Sequence, residues 1–304
     1  MISILLREFI IRQQNKQTQK QFFTTGRTLI LPLLLFPVLT FAQDDLLAGI
    51  DTVPKNQKVE AAFKAMKIVN LESTKLAAKK DFYFIVAHRF ASIEEGFEGF
   101  YGLDNAVTQI KFLYGFTEWM TVAVGRSEQA YDVSGKFRLL QQTSDSMPVS
   151  IVSFNSITFN NTLKPSVYPK MKFEGRVAYV TQLLVSRKFT EKLSLEIAPT
   201  FFHENFVIDD NQDNSQAAIG MGGRYKIAKR WSINMDYAVH LNRSSTSQFY
   251  NPVSVGVDLE TGGHVFQMHF TNSQGIHEAG FLGQTTGDWT EGDIFFGFNL
   301  VRVF

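Results

Sequence analysis

The chain has 304 residues, is close to neutral with 30 Lys and Arg against 29 Asp and Glu, and contains no cysteine. This length fits one large domain or two small ones. The lack of cysteine excludes disulfide frameworks, thiolate zinc sites, cysteine nucleophiles and the lipid-attachment cysteine of a bacterial lipoprotein.

Residues 1–42 have the order of a secretory signal peptide. Basic residues precede an apolar run over 29–41, and Ala42 supplies a small residue at the cleavage point. The alternative is a membrane anchor, but Pro32 and Pro37 interrupt the run, which is too short to cross about 30 Å of lipid as a helix. We therefore predict cleavage after Ala42, which leaves 25 basic and 28 acidic residues. This balance shows no basic stripe for nucleic acid, so we predict no nucleic-acid partner.

Residues 43–80 form a polar, lysine-rich leader to which we assign no secondary structure. Val59, Phe63 and Met66 have helical spacing, whereas the sequence over 67–70 favours extended backbone. The leader is far too short for the plug domain of an energised transporter. We expect it to lie in the periplasm or inside the barrel that the following sequence predicts.

From residue 81 the sequence alternates with a period of two. Over 231–241, apolar side chains hold the odd positions and mostly polar side chains hold the even positions. A half-buried strand of a soluble sandwich could alternate in the same way. The pattern predicts twelve strands, at 81–90, 106–114, 119–126, 132–142, 149–159, 173–187, 193–204, 215–227, 231–241, 252–259, 264–272 and 293–304.

The connections between these strands differ in length from one end to the other. Short connections fall at 115–118, 143–148, 188–192, 228–230 and 260–263, and longer polar ones at 91–105, 160–172, 205–214, 242–251 and 273–292. The connection at 127–131 is the exception, since it is short where its neighbours are long. An even strand number with short turns at one end and long loops at the other is the layout of outer-membrane barrels.

No apolar run of 18 residues follows Ala42, so the mature chain has no candidate membrane-spanning helix. A membrane protein without such helices has to close its sheet, because only closure pairs every backbone group in lipid. We predict an all-β fold over 81–304: one antiparallel transmembrane β-barrel of about 12 strands, with short periplasmic turns and long outer loops.

The last strand ends the chain on an aromatic side chain. Counting back in twos from Phe304 gives one face that is apolar except at Arg302, and it includes Leu300, Phe298 and Phe296. A terminal aromatic residue closing such a strand resembles the assembly signal of Gram-negative outer-membrane barrels. We expect barrel-assembly machinery to act on this strand and outer-membrane lipid to surround it.

Several sequence strings, among them Ala87-His-Arg-Phe90, Val124-Gly-Arg126 and the stretches 260–272 and 297–304, resemble a family of outer-membrane β-barrel proteins of Gram-negative bacteria. The resemblance covers about residues 60–304 and implies the barrel fold and the outer-membrane location. It brings no activity and no catalytic residues. Arg302 departs from the usual end signal, where an aromatic is commoner, and could extend towards periplasmic headgroups.

Charged residues on the polar face are predicted to line the lumen. They are Lys111, Lys136, Arg138, Arg176, Glu196, Arg224, Lys226 and Asp236. As a pore lining they would create a mildly cation-rich field that favours anionic or zwitterionic solutes. The alternative is a packed interior of paired charges and water, since twelve strands lie between the filled eight-stranded barrel and the open sixteen-stranded porin.

Three other patterns favour structural roles. In the turn 260–264, His264 shares a face with Met268, whereas His269 lies on the other, so the histidines cannot converge on one metal ion. The acidic and amide cluster 209–214 lacks the ligand spacing of a calcium loop.

The third pattern is a group of serines, Ser244, Ser245 and Ser247, which follows His240 without the spacing of a nucleophile motif. We therefore predict no catalytic residue, no metal and no cofactor. The leading functional hypothesis is passive diffusion or uptake of small solutes. A structural or complex-forming barrel is the alternative, and a rim enzyme acting on lipid or peptide is the third.

Overall fold

Twelve strands with one apolar and one polar face close into a single barrel. The computed structural model describes residues 56–304, apart from the side chain of Glu95. The strands are β1 (Phe82–Ser92), β2 (Ala106–Thr117), β3 (Met120–Ser127), β4 (Ala130–Leu140), β5 (Ser150–Asn160), β6 (Val177–Lys188), β7 (Leu193–Glu204), β8 (Ser215–Lys226), β9 (Trp231–His240), β10 (Val253–Thr261), β11 (His264–Thr271) and β12 (Phe295–Val303).

Each strand pairs antiparallel with its neighbours in the sequence, and β1 pairs with β12 to close the barrel. At this junction Tyr83 lies opposite Val303 on one side and Leu113 on the other. Closure leaves no free strand edge, so the backbone groups of the wall are paired within the wall. The predicted fold class, a closed antiparallel barrel of twelve strands, is confirmed. Within residues 56–304, no helix has both the length and the apolar character needed to cross a membrane.

The two faces of each strand differ in chemistry as the alternation predicts. On β9, Met235 points outward and is 54% exposed, whereas the next residue, Asp236, points inward and is 1% exposed. The outward face is a surface for lipid, and the inward face carries the polar residues.

Strand bounds agree with the prediction to within a few residues, and the largest difference is at β6. This strand begins at Val177 rather than at 173, because Glu174–Arg176 forms a 3₁₀ turn at the loop end of the barrel. The contrast between short turns at one end and long loops at the other is present, including the short connection between Ser127 and Ala130.

The leader lies inside the barrel. The predicted signal peptide 1–42 and the first part of the leader, 43–55, lie outside the described residues. The rest enters at the turn end, where the Val59 amide donates to the Gln142 carbonyl at 2.9 Å. It reverses direction in a hairpin closed by a bridge between Lys67 and Glu72. We call residues 57–80 the leader hairpin; it contains no helix despite the spacing of its apolar residues.

A second segment enters the lumen from the loop end. The connection between β11 and β12 contains a short helix, α1 (Glu278–Gly283), and all six helical residues are buried. The sequence predicts a long polar outer loop at 273–292. Apolar side chains at Phe281 and Leu282 explain the difference, because they can pack only inside the barrel.

The hydrophobic core therefore lies in the lumen rather than between layers. One cluster brings Leu71 of the leader hairpin together with Phe281 of α1 and Phe202 of the wall. A second places Met66 against wall residues near the turn end, and a third places Leu76 against Phe154. Apolar contacts thus hold both inserted segments against the wall.

The alternation of β12 places an apolar set of side chains on its outward face. Phe296, Phe298 and Leu300 all point away from the lumen. The ring of Phe304 lies 6.1 Å from the ring of Phe82, and the guanidinium of Arg302 lies 4.5 Å from the Phe304 ring centroid. The chain end thus covers the seam between β1 and β12.

Deleting Phe304 should reduce the amount of folded barrel in the membrane, because the deletion removes an aromatic contact at the closing seam. Folded barrel is measured by migration on SDS gels without boiling, where a closed barrel runs differently from the boiled chain. Replacing the exposed Phe189, which lies on a turn away from the seam, with Ser is the control. Undiminished assembly of the deletion would contradict this role of the chain end.

Candidate functional site: the occupied lumen

A wall carboxylate binds the tip of the leader hairpin. The backbone amides of Val69, Asn70 and Leu71 all donate to Oδ2 of Asp236, at 3.1, 2.7 and 2.9 Å. Successive amides that converge on one anion form a compact binding site, here with the anion supplied by the wall. Asp236 therefore satisfies three donors that would otherwise be buried without partners.

Lys136 of β4 binds backbone carbonyl groups of the hairpin, as Asp236 binds backbone amides. Its ammonium donates to the backbone oxygens of Met66 and Ser73 at 2.8 and 2.7 Å, and it lies 2.8 Å from Oε2 of Glu72. Burial alone would raise the pKa of Glu72, but the positive charges of Lys136 and Lys67 outweigh it and hold this pKa below its usual range. The hairpin thus carries an anion that is matched to a cation of the wall.

The hairpin tip is also bound from the side of β1. Arg89, which is 1% exposed, donates to Oδ1 of Asn70 at 2.7 Å and to Oδ1 of Asn299 at 3.0 Å. The side-chain amide of Asn70 donates in turn to Ser254 and Thr271, at 3.0 Å each. One leader side chain therefore joins β1 to β10 and β11.

The returning half of the hairpin makes polar contacts on the opposite wall. The amide of Thr74 donates to Oε2 of Glu196 at 2.9 Å, and the Thr74 hydroxyl lies 2.5 Å from that of Ser186. The amide of Ala77 donates to Thr121 at 3.0 Å. Polar side chains from strands all around the barrel thus hold the leader.

Lys67 connects the two inserted segments. Its ammonium lies 2.7 Å from Oε1 of Glu278 in α1 and 3.0 Å from Oε1 of Glu72. At the start of α1, Nδ1 of His277 accepts from the Gly280 amide at 3.1 Å. Burial lowers the pKa of His277 to about 4, which keeps this nitrogen free to accept. The leader hairpin and α1 therefore meet inside the barrel at a partly buried ion pair.

The eight residues that were predicted to line the lumen differ in burial and in the face on which they lie. Inward-facing and buried are Lys111, Lys136, Glu196, Arg224 and Asp236. Arg138 and Lys226 are half-buried near the turn end of the inward face.

The prediction for Arg176 is wrong. Its guanidinium lies outside the barrel, 4.1 Å from the ring centroid of the outward-facing Phe159. The strand was predicted to begin at 173, but regular alternation begins only at Val177. Arg176 therefore precedes the strand, and the inward–outward alternation that would have placed it in the lumen does not apply to it.

Carboxylates pair with most of the buried lining cations. Lys111 lies 3.1 Å from Oδ2 of Asp132, and Arg224 forms an ion pair with Glu260. With Lys136 bound to the leader, these cations do not form the open cation-rich lining that a pore would present. The described lumen matches the alternative, a packed interior of paired charges. A cavity of about 30 Å³ remains beside the hairpin, with room for about two water molecules.

The remaining motifs keep structural positions. Met268 points outward and His269 inward, as the alternation predicted. Nε2 of His240 lies 2.8 Å from Oε1 of Gln216, and the Ser244 hydroxyl lies 3.0 Å from that of Thr246. In the acidic cluster, Asp209 accepts from the backbone amide of Asn211 two residues on, as a turn does.

Several residues that take part in the leader contacts were not singled out from the sequence, namely the wall residues Arg89, Gln267 and Asn299 and the leader residue Glu72. Parity alone places the first three inside, but nothing in their spacing marks them as partners of another segment. The available signal was in the leader itself. Apolar residues are dense between Val59 and Ala77, which is unusual for a segment expected to remain in water.

A family model described as a membrane bound beta barrel domain (DUF5777) matches residues 63–304. The chain belongs to this family. The match begins inside the leader hairpin, so the family domain includes most of the inserted segment as well as the wall.

The barrel is also similar to solved structures at low sequence identity. The NanC porin is 8% identical with a TM-score of 0.47, over 73% of this chain and 98% of that chain. The KdgM porin is 9% identical with a TM-score of 0.43, over 73% and 98%. The Acinetobacter baumannii outer membrane protein Omp33 is 10% identical with a TM-score of 0.41, over 75% and 100%. No curated protein matches the chain.

Replacing Asp236 with Asn should loosen the leader hairpin, because the anion that accepts three backbone amides loses its charge. We expect the docked state to lose about 2 kcal/mol relative to the released state. The measurement is the rate at which trypsin cleaves the folded barrel at Lys75, with products identified by mass spectrometry.

The matched control for this experiment is Asp213→Asn, which changes an exposed loop carboxylate by the same atoms. Faster cleavage of the Asp236 variant alone is expected. Equal cleavage rates in the two variants would show that Asp236 does not hold the leader.

Proposed function

We propose that the chain is an outer-membrane barrel through which small solutes diffuse when the leader hairpin leaves the lumen. In the described state the hairpin and α1 occupy this path. The observation that carries the proposal is the chemistry of the wall, which binds the hairpin with charged and amide side chains from strands around the whole barrel.

The wall residues support passage because of what the hairpin would leave behind. Lys136, Asp236 and Glu196 would then face water, as would Arg89 and Gln267. Charged and amide side chains are the lining that a water-filled barrel requires. The apolar patches that remain on the wall include small residues such as Ala218 and Ala238 and the larger Phe202 and Phe154.

A permanently occupied, structural barrel is the second candidate, and specific contacts favour it. Leu71, Phe281 and Phe202 form a common core, and the Lys67–Glu278 pair joins a partly buried ammonium to a buried carboxylate. Removing one partner of a buried ion pair costs about 3–5 kcal/mol. We propose no enzymatic role, since the hydroxyl of Ser244 contacts that of Thr246, the hydroxyl of Ser247 accepts from the Phe249 amide at 3.2 Å, and the ring of His240 contacts Gln216.

Deleting residues 43–80 from the mature chain should convert a mostly silent barrel into one with discrete conductance steps in a planar bilayer, because the deletion removes the hairpin from the path. The mature chain, Gln43–Phe304, should show only rare openings. Both proteins are first checked for folding by their migration on unboiled gels. A folded but silent deletion variant would show that withdrawal of the hairpin alone opens no path, which contradicts the proposed opening and favours the structural barrel.

A reversible lock gives the control for that experiment. The hydroxyls of Thr74 and Ser186 are in contact, and the chain has no native cysteine. The double variant Thr74→Cys, Ser186→Cys should therefore tie the hairpin to β6 under oxidation. The rare openings should vanish when the disulfide forms and return on reduction, whereas Thr74→Cys alone should not respond. Openings that persist in the oxidised protein would show that passage does not require the hairpin to move.

The proposed orientation places the long loops outside the cell. Ser166 lies exposed in the loop between β5 and β6. The variant Ser166→Cys should react with a membrane-impermeant maleimide on intact cells. Glu191→Cys, in the turn between β6 and β7, should react only after the outer membrane is opened. The opposite pattern would reverse the orientation.

A further inference from the structure

Two outward arginines lie close together at the loop end of the barrel. The guanidinium of Arg126 lies 5.4 Å from the ring centroid of Tyr131, and its Nε donates to the Tyr131 hydroxyl at 3.1 Å. The guanidinium of Arg176 lies 4.1 Å from the ring centroid of Phe159. Tyr131 and Phe159 are direct partners across β4 and β5. The two cations therefore lie over neighbouring rings on one outward row.

The lumen cations and these two arginines differ in their partners. Within residues 56–304, the ion pairs that the structure contains involve neither Arg126 nor Arg176. Glu128 and Glu174 are the acidic residues next to them in the chain, and both are exposed. Arg176 donates from Nε to the backbone oxygen of Asn160 at 2.9 Å and from Nη2 to Oδ1 of Asn161 at 3.4 Å. These bonds and the ring contacts fix the direction of each guanidinium, and the two terminal nitrogens of Arg126 and Nη1 of Arg176 are left for a ligand.

An apolar groove begins beside Arg126 and extends along the outward face of β2 and β3. It has a volume of about 710 Å³, and Ile110, Phe112 and Val124 contribute apolar lining. All three side chains are more than 40% exposed, at 43, 41 and 53%. Thr108 and Glu128 lie at the same end of the groove as Arg126. The groove lies on the outward face, with the cation of Arg126 and the carboxylate of Glu128 at its loop end.

We propose that Arg126 and Arg176 bind phosphate groups of an anionic lipid whose acyl chain lies in this groove. Guanidinium groups bind phosphate oxygens through paired, charge-assisted hydrogen bonds. The apolar groove selects a lipid over free phosphate, since only a lipid supplies an acyl chain for Phe112 and Val124 to contact. The neighbouring cation over Phe159 gives the site a second charge, which suits a headgroup with more than one phosphate.

The choice of probe rests on the orientation proposed above, in which the loop end lies in the outer leaflet. The probe is therefore bisphosphorylated lipid A, and the comparison lipid is the same molecule without its phosphates. Native mass spectrometry of the refolded full mature chain in detergent measures the bound fraction. Labelling at Ser166 tests the orientation separately, so a failure of orientation and a failure of this site give different results.

We expect the unaltered chain to bind bisphosphorylated lipid A about tenfold more tightly than the dephosphorylated lipid. The double variant Arg126→Gln, Arg176→Gln should lose most of this difference. Arg187→Gln is the matched control, because Arg187 lies 5.1 Å from the Phe189 ring centroid at the opposite end of the barrel. Its binding of lipid A should equal that of the unaltered chain.

Three outcomes would overturn the proposal. Equal binding of the two lipids by the unaltered chain would do so without any variant, even if the double variant did not fold. Equal loss of binding in the double variant and in Arg187→Gln would show a general effect of charge. Inorganic phosphate that binds as tightly as lipid A would show that the groove takes no part.

Discussion

The structure depends on how buried backbone groups of the leader hairpin find hydrogen-bond partners. A strand of the wall pairs with its neighbours, but a hairpin inside the lumen has no sheet to join. Its amides and carbonyls must be paired by side chains, because an unpaired buried backbone group costs about as much as a lost hydrogen bond. Asp236 supplies the acceptor for three amides and Lys136 the donor for two carbonyls. The charged side chains of the lumen therefore lie where they can pair with backbone groups of the hairpin.

This arrangement makes docking of the leader cooperative. Lys136 contacts both the backbone of the hairpin and Glu72, and Lys67 joins Glu72 to Glu278 of α1. Moving any one of these groups leaves a charge in a dry environment without its partner, which is the costly case for buried ion pairs. Water entering the lumen would remove that cost for all of them together. Two states, fully docked and fully hydrated, are thus favoured over intermediate ones.

The sequence predicted the wall well because membrane barrels impose a strict period of two. The outward set that ends at Phe304 and the inward set that contains Asp236 both follow from counting alone. Counting failed at Arg176, where a 3₁₀ turn precedes the strand and breaks the parity. It also could not find the leader contacts. An inward aspartate such as Asp236 is expected both in an open pore and in an occupied lumen. Its identity alone therefore does not predict that three leader amides bind to it.

The sequence also did not predict that the loop containing α1 enters the lumen from the other end of the barrel. A connection of this length is expected to lie in water. The apolar pair Phe281 and Leu282 was the feature of its sequence that indicated burial instead. Twelve strands enclose more space than their own inward side chains can fill, since a wall of eight strands is already just filled. The space must hold either water or additional chain. Here a segment enters from each end, and the two meet at Lys67 and Glu278. Withdrawal of the leader alone would leave Glu278 buried beside α1 without its cation, so a conducting state would require water, or a movement of α1, to solvate that carboxylate.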